Sequence, residues 1–159
     1  MGAKGEALAK QLEAKAKDAV ATLEKLSDAD WKKVTEAEKW TVGVTAHHIA
    51  GAYEAVAGII TGIVAGHAPG NFTMGMLDQM NAQHAKEHAN CTKAETAALL
   101  KKGAATAAAV VRGLSDDQLA KSGIVFTDAP PMTAEQLVQL GLLNHVEEHF
   151  GSIRKTVGG

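Results

Sequence analysis

Seven histidines in 159 residues are the side chains best able to do chemistry, because a neutral imidazole binds divalent metals and titrates near neutral pH. His145 and His149 stand four apart, which on a helix puts both rings on one face, about 6 Å apart at Cβ. Two such rings can hold one ion at about 2.0–2.1 Å per bond. Val138, Gly141 and Leu142 share that face, so the pair is expected to point inward, where an unpartnered imidazole must be satisfied. His48 shares a face with Val44, Ala52 and Ala55 and is likewise expected to point inward. A nitrogen from it would complete a three-ligand site with an open position for water or substrate, the catalytic form of such a centre.

The remaining candidates are weaker. His47 is turned by about 100° from His48, too far to serve the same ion, and reads as a packed or surface residue. His84 and His88 make a second four-spaced pair. Flanked by Gln83, Lys86 and Glu87, they read as a solvated face and are the main rival metal pair. His67 falls in a Gly-His-Ala-Pro turn and is expected in solvent. Cys91 precedes the cap residue Thr92; it is either a reactive thiol near a helix N-terminus or, more simply, a lone buried cysteine. Glu54, Glu147 and Glu148 are candidates to orient a ligating imidazole or act as a base, although Glu147 and Glu148 read first as surface charges. Glycine-rich phosphate loops, nucleophile elbows and zinc-protease motifs are absent from the sequence.

The elements that must position these residues are helices. Alanine fills 30 positions, and it is the best helix former and a poor strand former. Apolar periodicity predicts helices over about 3–26, 41–66, 73–89 and 133–157, with another ending near Leu114. That one either starts at Thr92 or continues from the preceding helix through a kink. Thr35 with Glu38, Thr92 with Glu95 and Thr133 with Gln136 have capping-box spacing, and Ser27 also reads as a cap. The stretch from Asp116 to Met132 lacks periodicity and is expected to hold a short helix after Ser115 and an extended lid-like loop over one end of the molecule. Four long helices at this size make an all-α four-helix bundle, a single domain over 1–159.

Composition narrows the function classes. A net charge of −2 supplies no basic field for nucleic acid, and one cysteine excludes both an internal disulfide and a cysteine-built zinc site. The charged first 17 residues leave no apolar leader, so a cytoplasmic location is expected. Between Thr41 and Leu77 the only charged residue is Glu54, and Gly58, Gly62 and Gly66 form a small-residue stripe of the kind seen in membrane helix pairs. His47, His48, Tyr53 and Glu54 in mid-segment stand against a membrane span. A buried helix, facing its own copy in a homodimer, is the expectation.

Two segments carry a family resemblance. Trp40-Thr41-Val42-Gly43-Val44-Thr45-Ala46-His47-His48-Ile49-Ala50 resembles the start of the second helix of DinB-like proteins, with His48 at the metal-ligand position. Asn144-His145-Val146-Glu147-Glu148-His149-Phe150-Gly151-Ser152-Ile153 resembles the family's last helix, with Glu148 where relatives often have histidine and Ser152 where they have glutamine. Asp78-Gln-Met-Asn81-Ala82 is similar to the third-helix stretch. The resemblance spans roughly Ser27 to Ile153. It implies an up-down-down-up bundle that holds a divalent metal on three histidines. Relatives include mycothiol-dependent maleylpyruvate isomerase and bacillithiol S-transferases, in which a metal-bound thiol becomes a thiolate near neutral pH.

Residues and resemblance together point to a metal-dependent enzyme acting on a small-molecule substrate. Zinc, nickel or iron would sit on His48, His145 and His149 and activate a low-molecular-weight thiol or water for thiol S-transferase or isomerase chemistry. The alternative is a non-enzymatic bundle that binds a metal or small ligand for folding or sensing.

Overall fold

A computed structural model describes residues 2–158. Four long helical segments build the bundle: α1 (Ala3–Glu24), α3 (Val42–Val64), α5 (Lys93–Arg112) and a last segment comprising α7 (Ala134–Leu137), a π-helical stretch (Val138–Asn144) and α8 (His145–Gly158). Shorter helices α2 (Asp28–Lys32), α4 (Met74–Glu87) and α6 (Asp116–Leu119) lie between them, with a two-residue antiparallel pair of β1 (Ser122–Gly123) and β2 (Met132–Thr133). The main contacts run α1–α5, α5–α3, α3–α8 and α8–α1, a cycle that sets α1 opposite α3 and α5 opposite α8. This is the expected all-α four-helix bundle.

Local chemistry sets the helix ends. Thr41, Thr73 and Thr92 each accept a hydrogen bond from the backbone N–H three residues on, filling one of the donors a helix start leaves open. Thr92 therefore opens α5 as a separate helix, which settles the alternative left by the sequence. Full reciprocal capping boxes form at Ser27 with Asp30, Ser115 with Gln118 and Thr133 with Gln136. The Thr35–Glu38 spacing does not start a helix. There the chain turns back on itself, bridging Val34 to Thr41, with Lys39 in the left-handed region at φ 65°, and Glu38 is used elsewhere.

The core is a mixture of large aliphatic side chains and alanine. Leu12, Leu23, Ile49, Ile60, Leu100, Leu142, Phe150 and Ile153 are almost wholly buried, each worth about 1.5–3 kcal/mol relative to exposure. Ala9, Ala46, Ala50, Ala107 and Ala108 are buried among them and let the backbones approach. At Gly103 of α5 a Cβ would lie 3.0 Å from the Ala50 carbonyl oxygen and from Tyr53 Cβ of α3, so any larger residue there would press these two helices apart by a few tenths of an ångström. Alanine thus serves packing as well as helix propensity.

The packing corrects one expectation and bears out another. The charge-poor helix α3 is not buried all round: Gly51, Glu54, Ala55, Gly58 and Thr61 are exposed and make one open face of small residues. A Cβ on Gly58 or Gly66 would meet nothing within 4 Å. The non-periodic loop does cap one end of the bundle, where Gly123 abuts Ile63 and Ala68. That is the C-terminal end of α3, about 22 Å along the helix from His48 at 1.5 Å per residue, so the loop is no lid for the histidines. Among the described residues no helix is long and apolar enough to cross a membrane.

Candidate metal centre

His48 lies in the second turn of α3, started by the Thr41 cap. His145 and His149 open α8, directly after the π-helical stretch. A π turn holds more residues than an α turn, so it rotates the side chains that follow relative to an uninterrupted α-helix, and such turns recur at functional sites. Here the rotation keeps Val146, Phe150 and Ile153 buried while presenting both imidazoles to α3. His48 Nε2 and His145 Nε2 stand 3.2 Å apart, and the His149 ring centroid is 5.2 Å from that of His48 and 4.6 Å from that of His145. Ligand nitrogens from all three rings fall within 4.8 Å of one another. Two nitrogens bound to one tetrahedral ion at about 2.0–2.1 Å are separated by about 3.3 Å, a spacing that the His48–His145 pair already has and that the third ring is near enough to approach.

The outer support of this set is a residue that the sequence pattern did not flag as part of a site. Glu38 Oε2 is 2.6 Å from His149 Nδ1, and Glu38 Oε1 accepts from the Ser152 hydroxyl at 2.7 Å. The Glu38 side chain is only 8% exposed. Burial by itself would raise its carboxyl, but hydrogen bonds from Ser152, Thr35 and His149 outweigh that and hold it below the ordinary glutamate value. A carboxylate on Nδ1 fixes the ring and frees Nε2 for a metal, the usual partner arrangement of a ligating histidine. Glu54, a candidate orienting group, is exposed, and Glu147 and Glu148 are surface charges as first read, Glu147 pairing with Lys15. Glu38 sits in an irregular turn, so no helical period reveals it; its only sequence signal is the capping spacing from Thr35.

Burial and crowding keep His48 and His145 neutral. Desolvation, then the neighbouring His145 and His149, push His48 down to about 3, and desolvation and His149 push His145 down to about 4. Both therefore offer lone pairs at pH 7, the form that binds metal. Trp40 packs its ring against His48 at 5.3 Å between centroids, closing one side of the set.

His47 is neither a bland packed residue nor a surface one, and His84 and His88 are not on a solvated face. These three half-buried rings form a second cluster with ligand nitrogens within 4.8 Å of one another. The expectation failed because α4 runs back along α3, from the loop end toward the α3 N-terminus, and brings its histidines to His47. His67 is exposed, as expected. Cys91 is partly buried, and burial raises its thiol above the ordinary value, which argues against a reactive thiolate.

With this geometry in hand, comparison with known proteins is informative. Residues 12–141 match the family model described as the mycothiol maleylpyruvate isomerase N-terminal domain. The chain belongs to that family, and its DinB-like character follows. Among solved structures, the mycothiol-dependent maleylpyruvate isomerase superposes with a TM-score of 0.73 at 13% identity, over 94% of this chain and 60% of that one. The chain thus spans about three-fifths of that enzyme's length. YfiT from Bacillus subtilis, described as a probable metal-dependent hydrolase with an unusual four-helix bundle topology, superposes with a TM-score of 0.70 at 19% identity, over 98% of this chain and 86% of that one. At these identities the likeness is one of fold. No curated protein matches the sequence. The family match takes in His47, His48, His84 and His88 and ends before His145 and His149.

Proposed function

We propose that the protein is a metal-dependent enzyme holding one divalent ion on His48, His145 and His149 and activating a low-molecular-weight thiol or water for S-transfer or isomerisation. The carrying observation is the convergence of three half-buried imidazoles from two helices, one of them braced by a buried carboxylate. The isomerase with the similar fold is named for mycothiol, which makes a thiol of that class the first substrate to test. When bound, a divalent ion lowers the pKa of a coordinated thiol or water into the neutral range. Three nitrogens suit zinc, nickel or iron, and three protein ligands leave one position for the thiol or water.

The chain's own residues have definite tasks in this reading. Glu38 accepts a hydrogen bond from His149 Nδ1–H, which fixes the tautomer, and the Ser152 hydroxyl holds Glu38 in place. The burial of His48 and His145 keeps their lone pairs available and strengthens electrostatic interactions at the centre. Thiol chemistry of this kind suits the reducing cytoplasm, and the open Gly58 face of α3 is the surface through which we propose homodimerisation. Sedimentation showing only monomer at micromolar concentration removes the dimer and leaves the metal reading intact.

The test is zinc-loaded protein assayed for transfer of mycothiol to a small electrophile, alongside elemental analysis. His145→Ala is expected to remove both the ion from this set and the activity. Activity equal to wild type in that variant overturns the proposal. Chelation that removes activity while leaving the helical signal supports an enzyme; chelation that unfolds the domain supports the folding role instead.

A further inference from the structure

We propose that His47, His84 and His88 form a second transition-metal site, separate from the first, that clips α4 onto α3. His47 Nδ1 lies 2.8 Å from His84 Nε2. The His88 ring centroid is 4.1 Å from that of His47 and 4.6 Å from that of His84. Each of the three imidazoles offers a nitrogen within 4.8 Å of the other two, near enough for small side-chain adjustments to bring all three onto one ion. The polar atoms of the His84 ring are also not all satisfied: among the described residues its Nδ1 is buried without a hydrogen-bond partner, whereas buried polar atoms are normally satisfied, so either ring nitrogen is open to an ion.

The place of α4 in the fold gives the second site a task. Helix α4 contributes no buried residue to the core. Its N-terminal end is tied down by the Asp128 carboxylate on the Met74 N–H and by Phe72 against Phe126. Its C-terminal end meets α3 at the three imidazoles, so an ion there would supply the cross-link that hydrophobic packing does not. The two sets are neighbours: His47 and His48 are consecutive, and the His48 and His84 ring centroids are 5.9 Å apart. Clipping α4 therefore orders one wall beside the first centre. The donor set, nitrogen only, suits zinc, nickel or copper rather than calcium or magnesium.

This inference stands on its own geometry, and its test separates it from the proposed function. Metal-free full-length protein and its variants are dialysed against zinc, and bound metal is counted by elemental analysis. Hydrogen exchange then follows the α4 amides. Wild type is expected to hold two ions, His84→Ala one and His145→Ala one, with zinc slowing α4 exchange at least tenfold in wild type and not in His84→Ala. Because α4 has no fully buried residue, His84→Ala and His88→Ala are expected to leave the bundle folded, which the helical signal of each variant checks. A zinc count unchanged by both variants, or α4 exchange indifferent to zinc, overturns the proposal. One ion that survives His145→Ala and is lost in His84→Ala supports it and removes the first centre instead.

Discussion

The two imidazole clusters have the same composition, begin at adjacent residues of α3, and are supported very differently. His48, His145 and His149 join two long helices of the bundle and have outer support: Glu38 braces His149, Ser152 braces Glu38, and Trp40 covers His48. His47, His84 and His88 join a bundle helix to α4, which buries none of its side chains, and one of their nitrogens is an orphan. Outer-shell partners decide how tightly and rigidly a metal is held as much as the ligands do. In the proposed reading the first cluster is a braced centre and the second a clasp whose strength depends on ordering a helix with no fully buried residue.

Removing a ligand is the strongest way to break this comparison. His145→Ala is expected to abolish binding of stoichiometric zinc at the first cluster while leaving the second able to bind, as titration with elemental analysis reads out. Equal loss from both clusters would mean that they act as one unit.

Acidification is expected to have the next largest effect. In metal-free protein His48 and His145 are pushed down to about 3 and about 4 from 6.5. The unfolded chain therefore takes up protons below pH 6.5 that the folded chain refuses. Stability is full above pH 6.5 and falls toward pH 4, by up to about 1.4 kcal/mol per pH unit for each ring. Urea denaturation at pH 7, 6 and 5 measures the slope, and His48→Gln should flatten it. A wild-type slope of zero would contradict the buried, neutral assignment.

Glu38→Gln sharpens the contrast further. It keeps the shape but removes the carboxylate, and is expected to weaken zinc binding at the first cluster by about 10–100-fold with no change at His47, His84 and His88. Competition with a chelator of known affinity measures it. Equal weakening at both would show a general loss of structure. The smallest effect belongs to His67→Ala, in an exposed turn. Neither zinc count nor stability should move, the latter by less than about 0.5 kcal/mol.

Much of the first cluster is legible in the chain because its information is local. The four-residue step from His145 to His149 and the cap at Thr41 that phases His48 are written in helical period and capping chemistry, and the bundle class follows from alanine content and apolar spacing. The second cluster defeats the same reasoning. His84 and His88 have polar neighbours in sequence, and only the return path of α4 along α3 brings them to His47. Glu38 is harder still, because Thr35 suggested a helix start and the chain made a turn there, with Lys39 at φ 65°. The uncharged stretch of α3 read as buried, yet small residues such as Gly58 tolerate exposure.

The sequence by itself determined which segments are helices, where they begin, and which imidazoles share a helical face, because these follow from hydrogen bonding and periodicity within a few residues. Only the tertiary structure decided which face meets which. The meeting of residue 38 with 149, and of 47 with 84, depends on chain paths of 111 and 37 residues, set by how the whole core packs and encoded at no single position.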